Sequence, residues 1–222
     1  YDSDETDLIV YYQMADGRVK ALSDKSPMNR RINCLINQGT EFFEKNDFVN
    51  SKKYTLRALT LAENINDSLS IMICLNSMGV NYFQMRYFDS SFYYNDKAIR
   101  IAISLKDTSS YLYYLAKKIR INLFTGEVKH IDPLINELNN LLSDFNEEPR
   151  EINVINSIRG DYYRFTGEFV KAISIYKLLE KPYQNDKSYH QLSAIYTTIG
   201  NCYYYLNKTD SALHFYQEAI DC

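Results

Sequence analysis

The sequence predicts an all-α solenoid built from antiparallel pairs of helices. Glycines and aromatic residues recur with a common period, and within each interval the apolar residues recur at three- and four-residue steps. The 222 residues include only 7 Gly and 4 Pro, too few for a β-sandwich, which needs frequent turns. The length fits one array of repeats.

The glycines establish a 40-residue period. Gly39 and Gly79 are one period apart, as are Gly160 and Gly200, and the gap between the two pairs is close to two periods. Halving that gap places a missing member near Ile119. Glycine inside a helix costs about 1 kcal/mol relative to alanine. A repeated glycine therefore predicts that two helices approach closely there. The expected neighbours are small residues of the second helix of each pair, namely Ser51, Ser91, Ala172 and Ala212.

Each interval predicts two helices separated by a short break. Asp67 and Asp107 stand just ahead of the following interval, beside Ser68 and Thr108, which is typical of a helix N-cap. We therefore divide the chain into an N-terminal segment, 1–28, and five repeats at about 29–67, 68–107, 108–147, 148–187 and 188–222.

The two ends of the chain carry separate expectations. Apolar residues from Asp7 to Leu22 lie at roughly helical spacing, which predicts an N-terminal capping helix or partial repeat before Pro27. The last helix, about Thr209 to Asp221, is apolar on more than one side, unlike the polar cap of a solenoid. We expect the chain to continue beyond Cys222, or a partner or second copy to cover this end.

Two segments resemble tetratricopeptide repeats (TPRs). They are Gly160-Asp-Tyr-Tyr-Arg-Phe-Thr-Gly-Glu-Phe-Val-Lys-Ala-Ile-Ser-Ile-Tyr176 and Ile199-Gly-Asn-Cys-Tyr-Tyr-Tyr-Leu-Asn-Lys-Thr-Asp-Ser-Ala-Leu-His-Phe-Tyr-Gln-Glu-Ala-Ile220. The resemblance extends over about 30–222, although the third repeat has Ile119 in place of glycine and Pro133 early in its second helix. It implies a TPR-like superhelical solenoid. The usual period is about 34 residues, so the longer period here adds nearly one turn to each helix.

Composition and motifs argue against several functions. The net charge is -3, without a basic cluster, so we expect no direct nucleic-acid binding. No apolar run is long enough to predict a membrane span. The sequence has no P-loop, no H-E-x-x-H and no G-x-S-x-G, and its histidines, His130, His190 and His214, lie far apart in the sequence. We predict no enzyme activity, no cofactor and no metal ion.

The resemblance places candidate binding residues on a groove. In TPR proteins the first helix of each repeat lines a concave groove. The corresponding residues here are Asn37, Asn76, Phe83, Tyr113, Lys117, Arg120, Arg164, Asn201 and Tyr204. Asparagine offers a peptide backbone both a donor and an acceptor, and Lys117, Arg120 and Arg164 could receive a carboxylate. The alternative is that these are ordinary polar residues of the groove.

Five tyrosines lie partly outside the core column of the repeat: Tyr111, Tyr113, Tyr114, Tyr204 and Tyr205. Tyrosine buries a large area with little loss of entropy, which also suits contact surfaces. Interface and structural roles both stay open for these residues.

The expected function is binding of a protein or peptide segment in the groove. The 40-residue period is similar to sensor regions of bacterial TPR-containing transcription regulators and signalling proteins, and we favour the bacterial periplasm, in a membrane-anchored protein, over the cytoplasm. One alternative is a cytoplasmic regulator that switches on a short signalling peptide. Another is a structural adaptor of an envelope or secretion complex.

Overall fold

A computed structural model describes residues 10–13, 19–22, 27–127, 130–144 and 151–222 of the chain. Apart from two short strands, its elements are helices. They are β1 (Val10–Gln13), β2 (Val19–Leu22), α1 (Pro27–Glu44), α2 (Phe48–Asn64), α3 (Ser68–Gln84), α4 (Phe88–Ser104), α5 (Thr108–Thr125), α6 (Ile131–Asp144), α7 (Ile152–Phe165), α8 (Phe169–Lys177), α9 (Glu180–Asn185), α10 (Tyr189–Tyr205) and α11 (Thr209–Asp221).

The chain forms two compact units, and the division falls within α5, between Tyr114 and Leu115. In the first unit α1 packs on α2, α2 on α3, and α3 on α4. In the second unit α7 packs on α8, α10 contacts both α8 and α9, and α10 packs on α11. In these contacts each helix packs on the next helix along the chain or on the one after it, and the prediction of an all-α fold of helix pairs is confirmed.

The helix predicted from Asp7 to Leu22 is wrong for the part that the structure describes. β1 and β2 form an antiparallel pair in which Val10 faces Leu22 and Gln13 faces Val19. The physical reason is that β1 combines valine with two tyrosines, which fit a pleated strand. Asp16-Gly17 stands between the strands in the sequence, and this dipeptide is typical of tight hairpins. Residues 1–9, 14–18 and 23–26 of the predicted N-terminal segment lie outside the described residues.

A left-handed residue ends the helices at regular intervals. Asn46, Asn66, Arg86, Lys106 and Gly126 are evenly spaced along the sequence, and all have φ between 54° and 75°. At Asn66 the backbone N–H bonds to the Glu63 carbonyl at 3.1 Å, and the next N–H bonds to the Ala62 carbonyl at 3.0 Å. This pair of bonds is the Schellman motif, which satisfies the last carbonyls of a helix. The period therefore consists of two equal halves, each with one helix and one turn.

The aspartates predicted as N-caps perform that role. Asp67 Oδ1 accepts from the Ser70 backbone N–H at 3.2 Å, and its Oδ2 accepts from the Ser70 hydroxyl. Asp107 makes the same two bonds with Ser110. A carboxylate at this position satisfies a backbone donor that the first turn of a helix leaves without a partner.

The glycines mark close approaches between paired helices, as predicted, but with two kinds of neighbour. A Cβ built on Gly79 would face the backbone carbonyl of Ser91 at 3.5 Å, and one built on Gly39 would meet Thr55 Oγ1 at 2.8 Å and the carbonyl of Ser51 at 3.3 Å. At Gly160 and Gly200 the prediction of a small neighbour is wrong. There the nearest atoms belong to the rings of Tyr176 and Tyr216, which cover the glycines directly.

Candidate protein-binding surfaces

A small cleft lies among the first three helices of the first unit. It opens to solvent and encloses about 290 Å³ of empty space, including its mouth. The residues that line it come from α1, α2 and α3: Gly39, Thr40, Phe43, Ser51, Thr55, Asn76, Ser77, Val80 and Asn81. Phe43 and Val80 supply apolar surface and most of the others supply hydroxyl or amide groups, whereas none of the nine side chains carries a charge.

Asn81 has an unusual place in this cleft. Its side chain is 1% exposed, and its Nδ2 donates to the Ser77 carbonyl at 2.9 Å. Within the described part of the chain, its Oδ1 is buried without a hydrogen-bond partner. A buried acceptor left in this state costs about 1–3 kcal/mol. The first unit thus keeps a destabilising polar atom beside an open cleft.

Four of the predicted groove residues belong to the first unit. Asn76 is nearly fully buried and lines the cleft. Asn37 and Phe83 are half-buried and are not among its lining residues; Phe83 packs on Phe88, with ring centroids 5.6 Å apart. The prediction for Tyr113 is wrong, because its side chain is 0% exposed and has no surface to offer a partner. Tyr114 is buried in the same way.

In the second unit Arg164 is held by its own repeat. Its Nη2 lies 3.8 Å from Asp161 Oδ1, and the same oxygen accepts from the Tyr176 hydroxyl at 2.8 Å. Burial raises the pKa of Tyr176, and the Asp161 carboxylate raises it further. Arg164 therefore has a carboxylate of its own repeat nearby, and at this exposure such a pair is a weak interaction.

The other predicted residues of the second unit have different surroundings. Asn201 Oδ1 accepts from the Tyr216 hydroxyl at 2.8 Å, the counterpart of the Asp161–Tyr176 bond. Arg120 lies close enough to Tyr183 to oppose the rise in its pKa that burial causes, and Lys117 is half-buried. The structure thus gives Arg120 and Arg164 separate neighbours.

Two exposed tyrosines form an aromatic surface at the end of α10. Tyr204 and Tyr205 are 64% and 62% exposed, and their rings meet edge to face with centroids 5.9 Å apart. Tyr205 also stacks on Phe169 of α8 at 5.1 Å. Of the tyrosines whose role the sequence left open, these two offer contact area, whereas Tyr113 and Tyr114 belong to the core.

The sequence analysis did not identify two polar residues whose surroundings in the structure are unusual, Asn81 and Arg159. Arg159 is half-buried, donates to Asn139 Oδ1 and Asn156 Oδ1 at 2.9 Å each, and has its pKa lowered by burial. Its equivalents in the second and fifth repeats are the buried Met78 and Ile199. Comparing each polar residue with its apolar equivalents in other repeats would have found both.

Among the described residues, no three His, Cys, Asp or Glu side chains lie close enough to hold a metal ion. His130, His190 and His214 are exposed. No helix in the described ranges combines the length and the apolar character that crossing a bilayer requires.

Paired helices, evenly spaced Schellman turns and glycine contacts in the pairs that carry Gly39, Gly79, Gly160 and Gly200 define a TPR-like helical repeat fold. The chain is similar to aspartyl phosphate phosphatase F from Bacillus subtilis, with a TM-score of 0.66 and 11% identity over 90% of this chain and 50% of that one. It is also similar to a putative kinesin light chain with TPR-like repeats from Podosopora anserina, with a TM-score of 0.63, 10% identity and coverage of 89% and 96%.

A third similar structure is BtubC (BKLC) from P. vanneervenii, with a TM-score of 0.67, 12% identity and coverage of 89% of this chain and 91% of that one. The chain spans half the length of the Bacillus protein. No protein-family model and no curated protein matches the sequence. The likeness therefore establishes the fold alone.

Proposed function

We propose that the chain is a non-catalytic TPR module that binds a protein or peptide segment, as the sensor or interaction region of a larger bacterial signalling or transcription-regulatory protein. The observation that carries this proposal is the uncharged cleft of the first unit, in which Phe43 and Val80 lie among hydroxyl and amide groups. Peptide groups are neutral and carry both donors and acceptors, so they match such a lining better than an ionic ligand would.

The size of the cleft supports a peptide over a small cofactor. Pockets for small molecules enclose about 300–1,000 Å³ and surround most of the ligand, whereas about 290 Å³ here includes the open mouth. Most of that space belongs to the open mouth, so the enclosed part admits only a small polar group of a segment whose remainder lies on the surface outside. The exposed Tyr204 and Tyr205 supply a separate aromatic contact area in the second unit.

The bacterial part of this proposal draws on the Bacillus protein, whose fold is similar over 90% of this chain. Its name is that of a phosphatase, and the chain spans only half of it, so we carry over no activity. A net charge of -3 favours a protein partner over a nucleic acid.

A display library of random 12-residue peptides tests the proposal on the purified chain. Val80 lies in the cleft, and Val49 of α2 is exposed and outside it, which makes Val80→Asp and Val49→Asp a matched pair. We expect the wild type to enrich a peptide family that Val80→Asp binds at least tenfold more weakly. Val49→Asp should bind it as the wild type does, and circular dichroism should show equal helicity in all three proteins.

Two outcomes contradict the proposal. One is a wild-type selection that enriches no peptide family in repeated rounds. The other is a peptide family that binds equally well to Val80→Asp and to the wild type, because the cleft would then play no part in binding.

A further inference from the structure

Asn81 is a polar exception among the buried residues of its column in the repeat. Two residues after the glycine column, the third, fourth and fifth repeats have Ile121, Tyr162 and Cys202, all of them buried, while the first has the exposed Glu41. The second repeat places an equally buried amide there. Since larger or apolar side chains fill this position elsewhere in the same fold, packing alone does not require an asparagine. Local departures of this kind concentrate at functional sites.

The orientation of the Asn81 amide is determined by its surroundings. Its Nδ2 donates to the Ser77 carbonyl, which can only accept, so a rotated amide would bring two acceptors together. The Oδ1 therefore points away from that carbonyl. In the described part of the structure it is buried and accepts no hydrogen bond, although Asn81 lines the cleft. Oδ1 itself has almost no accessible surface, so a donor that enters the cleft reaches it only when the lining side chains give way slightly.

The lining of the cleft limits the chemistry of that donor. No Asp or Glu lines it, so an ammonium or guanidinium group would lose its hydration without gaining a counter-charge. A carboxylate would meet the Asn81 acceptor without a cation nearby among the lining residues. An uncharged donor avoids both the unpaired charge and the contact between two acceptors, and the limited space admits only a small donor group.

We propose that the cleft is a specificity pocket for one side chain of the bound segment, and that Asn81 Oδ1 accepts a hydrogen bond from its hydroxyl or carboxamide group. This inference rests on the proposed peptide-binding function. The selected residue is serine, threonine, asparagine or glutamine. Phe43 and Val80 contact its aliphatic part, while the Asn81 acceptor excludes apolar residues of the same size.

Asn81→Ile is the variant that tests the pocket, because Ile121 shows that the same column accepts isoleucine in a buried position. Asn122→Leu is the matched control. Asn122 is also buried, and within the described residues its Nδ2 lacks a partner, but it belongs to the second unit. The 12-residue display library is selected separately on the wild type and on both variants, and thermal unfolding verifies that each one folds.

The wild type and Asn122→Leu should enrich peptides with serine, threonine, asparagine or glutamine at one fixed position, and Asn81→Ile should enrich an apolar residue there. Replacing the donor residue of the selected peptide by alanine should weaken binding to the wild type about fivefold, as expected for one neutral hydrogen bond. The same replacement should change binding to Asn81→Ile less than twofold. Comparing the serine or threonine peptide with its asparagine or glutamine counterpart then distinguishes a hydroxyl from a carboxamide donor.

The results separate the two proposals. Peptides that bind through the cleft without a preference for a donor, or with the same preference on Asn81→Ile, overturn the specificity pocket and leave the binding function standing. A wild type that enriches no peptides overturns both. If Asn81→Ile only raises the unfolding temperature and the selected peptides are unchanged, the unpaired acceptor is a packing defect and the inference is wrong.

Discussion

The ring of Tyr216 occupies the space that a side chain at position 200 would need. A Cβ built on Gly200 would lie 2.5 Å from Tyr216 Cε1, and the Tyr216 hydroxyl donates to Asn201 Oδ1 at 2.8 Å. The fourth repeat has the same arrangement, with Tyr176 over Gly160 and its hydroxyl bonded to Asp161. In both repeats the glycine allows the tyrosine to lie against the first helix, and the residue after the glycine fixes its hydroxyl.

Alanine at the glycine positions should therefore have opposite effects in different repeats. Gly160→Ala forces the buried Tyr176 ring to move and should cost about 1–3 kcal/mol of unfolding free energy. Gly79 has 3.5 Å to its nearest neighbour, an ordinary contact, so Gly79→Ala should gain up to about 1 kcal/mol from helix propensity. Urea denaturation of both variants measures the difference, and an equal loss of stability in both would refute the role of the tyrosine rings.

Larger side chains at these positions should be harmful everywhere. Gly79→Leu and Gly200→Leu both bring bulk against the second helix of the pair, where the Ser91 carbonyl and the Tyr216 ring lie. We expect each to cost several times the value of about 0.5 kcal/mol that is usual for surface substitutions. Unchanged melting temperatures for both variants would show that the paired helices can move apart without any loss of stability.

The hydrogen bond between Tyr176 and Asp161 should make stability depend on alkaline pH. The pKa of Tyr176 is raised in the folded chain, whereas the unfolded phenol ionises near its ordinary value of about 10. The folded state thus holds the proton more tightly, so this contribution to stability is complete below about pH 10 and is lost as the pH rises further. Tyr176→Phe should lower stability at pH 8 by about 1–2 kcal/mol.

The pH series distinguishes this bond from simple packing. Between pH 9 and pH 11 the unfolding free energy of the wild type should fall more steeply than that of Tyr176→Phe, since only the wild type ionises at this position. Parallel curves for the two proteins would mean that Tyr176 titrates alike in the folded and the unfolded chain.

The left-handed turns offer sites for stabilisation. Lys106 has φ +54°, a conformation that costs an ordinary L-residue about 1–2 kcal/mol and glycine very little. We expect Lys106→Gly to raise the unfolding free energy by about 0.5–1 kcal/mol. Asn66 has the same φ, but asparagine tolerates it better, so Asn66→Gly should raise the unfolding free energy by less.

Gly126→Ala provides the converse test. The φ of Gly126 is +75° and no atom lies within 4 Å of a Cβ built there, so any loss of unfolding free energy reflects backbone strain alone.

Substitutions at two N-cap positions should change the stability in opposite directions. Asp67→Ala removes the bonds to Ser70 and should lower the unfolding free energy by about 1 kcal/mol.

Tyr87 stands one period after the capping Asp47, but it caps α4 without a side-chain hydrogen bond. Tyr87→Asp should install the missing cap and raise the melting temperature, while its neighbour Asp89 reduces the gain by repulsion. A decrease would indicate that the contact of Tyr87 with Tyr82 outweighs the cap.

The sequence by itself determined the helical architecture. The 40-residue period predicted pairs of helices, and the last helix, predicted at about Thr209 to Asp221, spans these residues. Asp67 and Asp107 were identified as N-caps. These features depend on interactions within a few residues along the chain, such as backbone hydrogen bonds and caps, so local pattern is sufficient to find them.

The tertiary structure alone decided which side chains can meet a partner. Tyr113 and Tyr204 occupied the same groove in the prediction, yet one is buried and the other exposed. Arg164 carries a charge that Asp161 and Tyr176 already engage, and Asn81 lines a cleft with an acceptor that the described chain leaves unpaired. Burial depends on the side chains that other helices bring against a residue. A spacing rule places a residue on a helix face, but only packing between helices determines what covers that face.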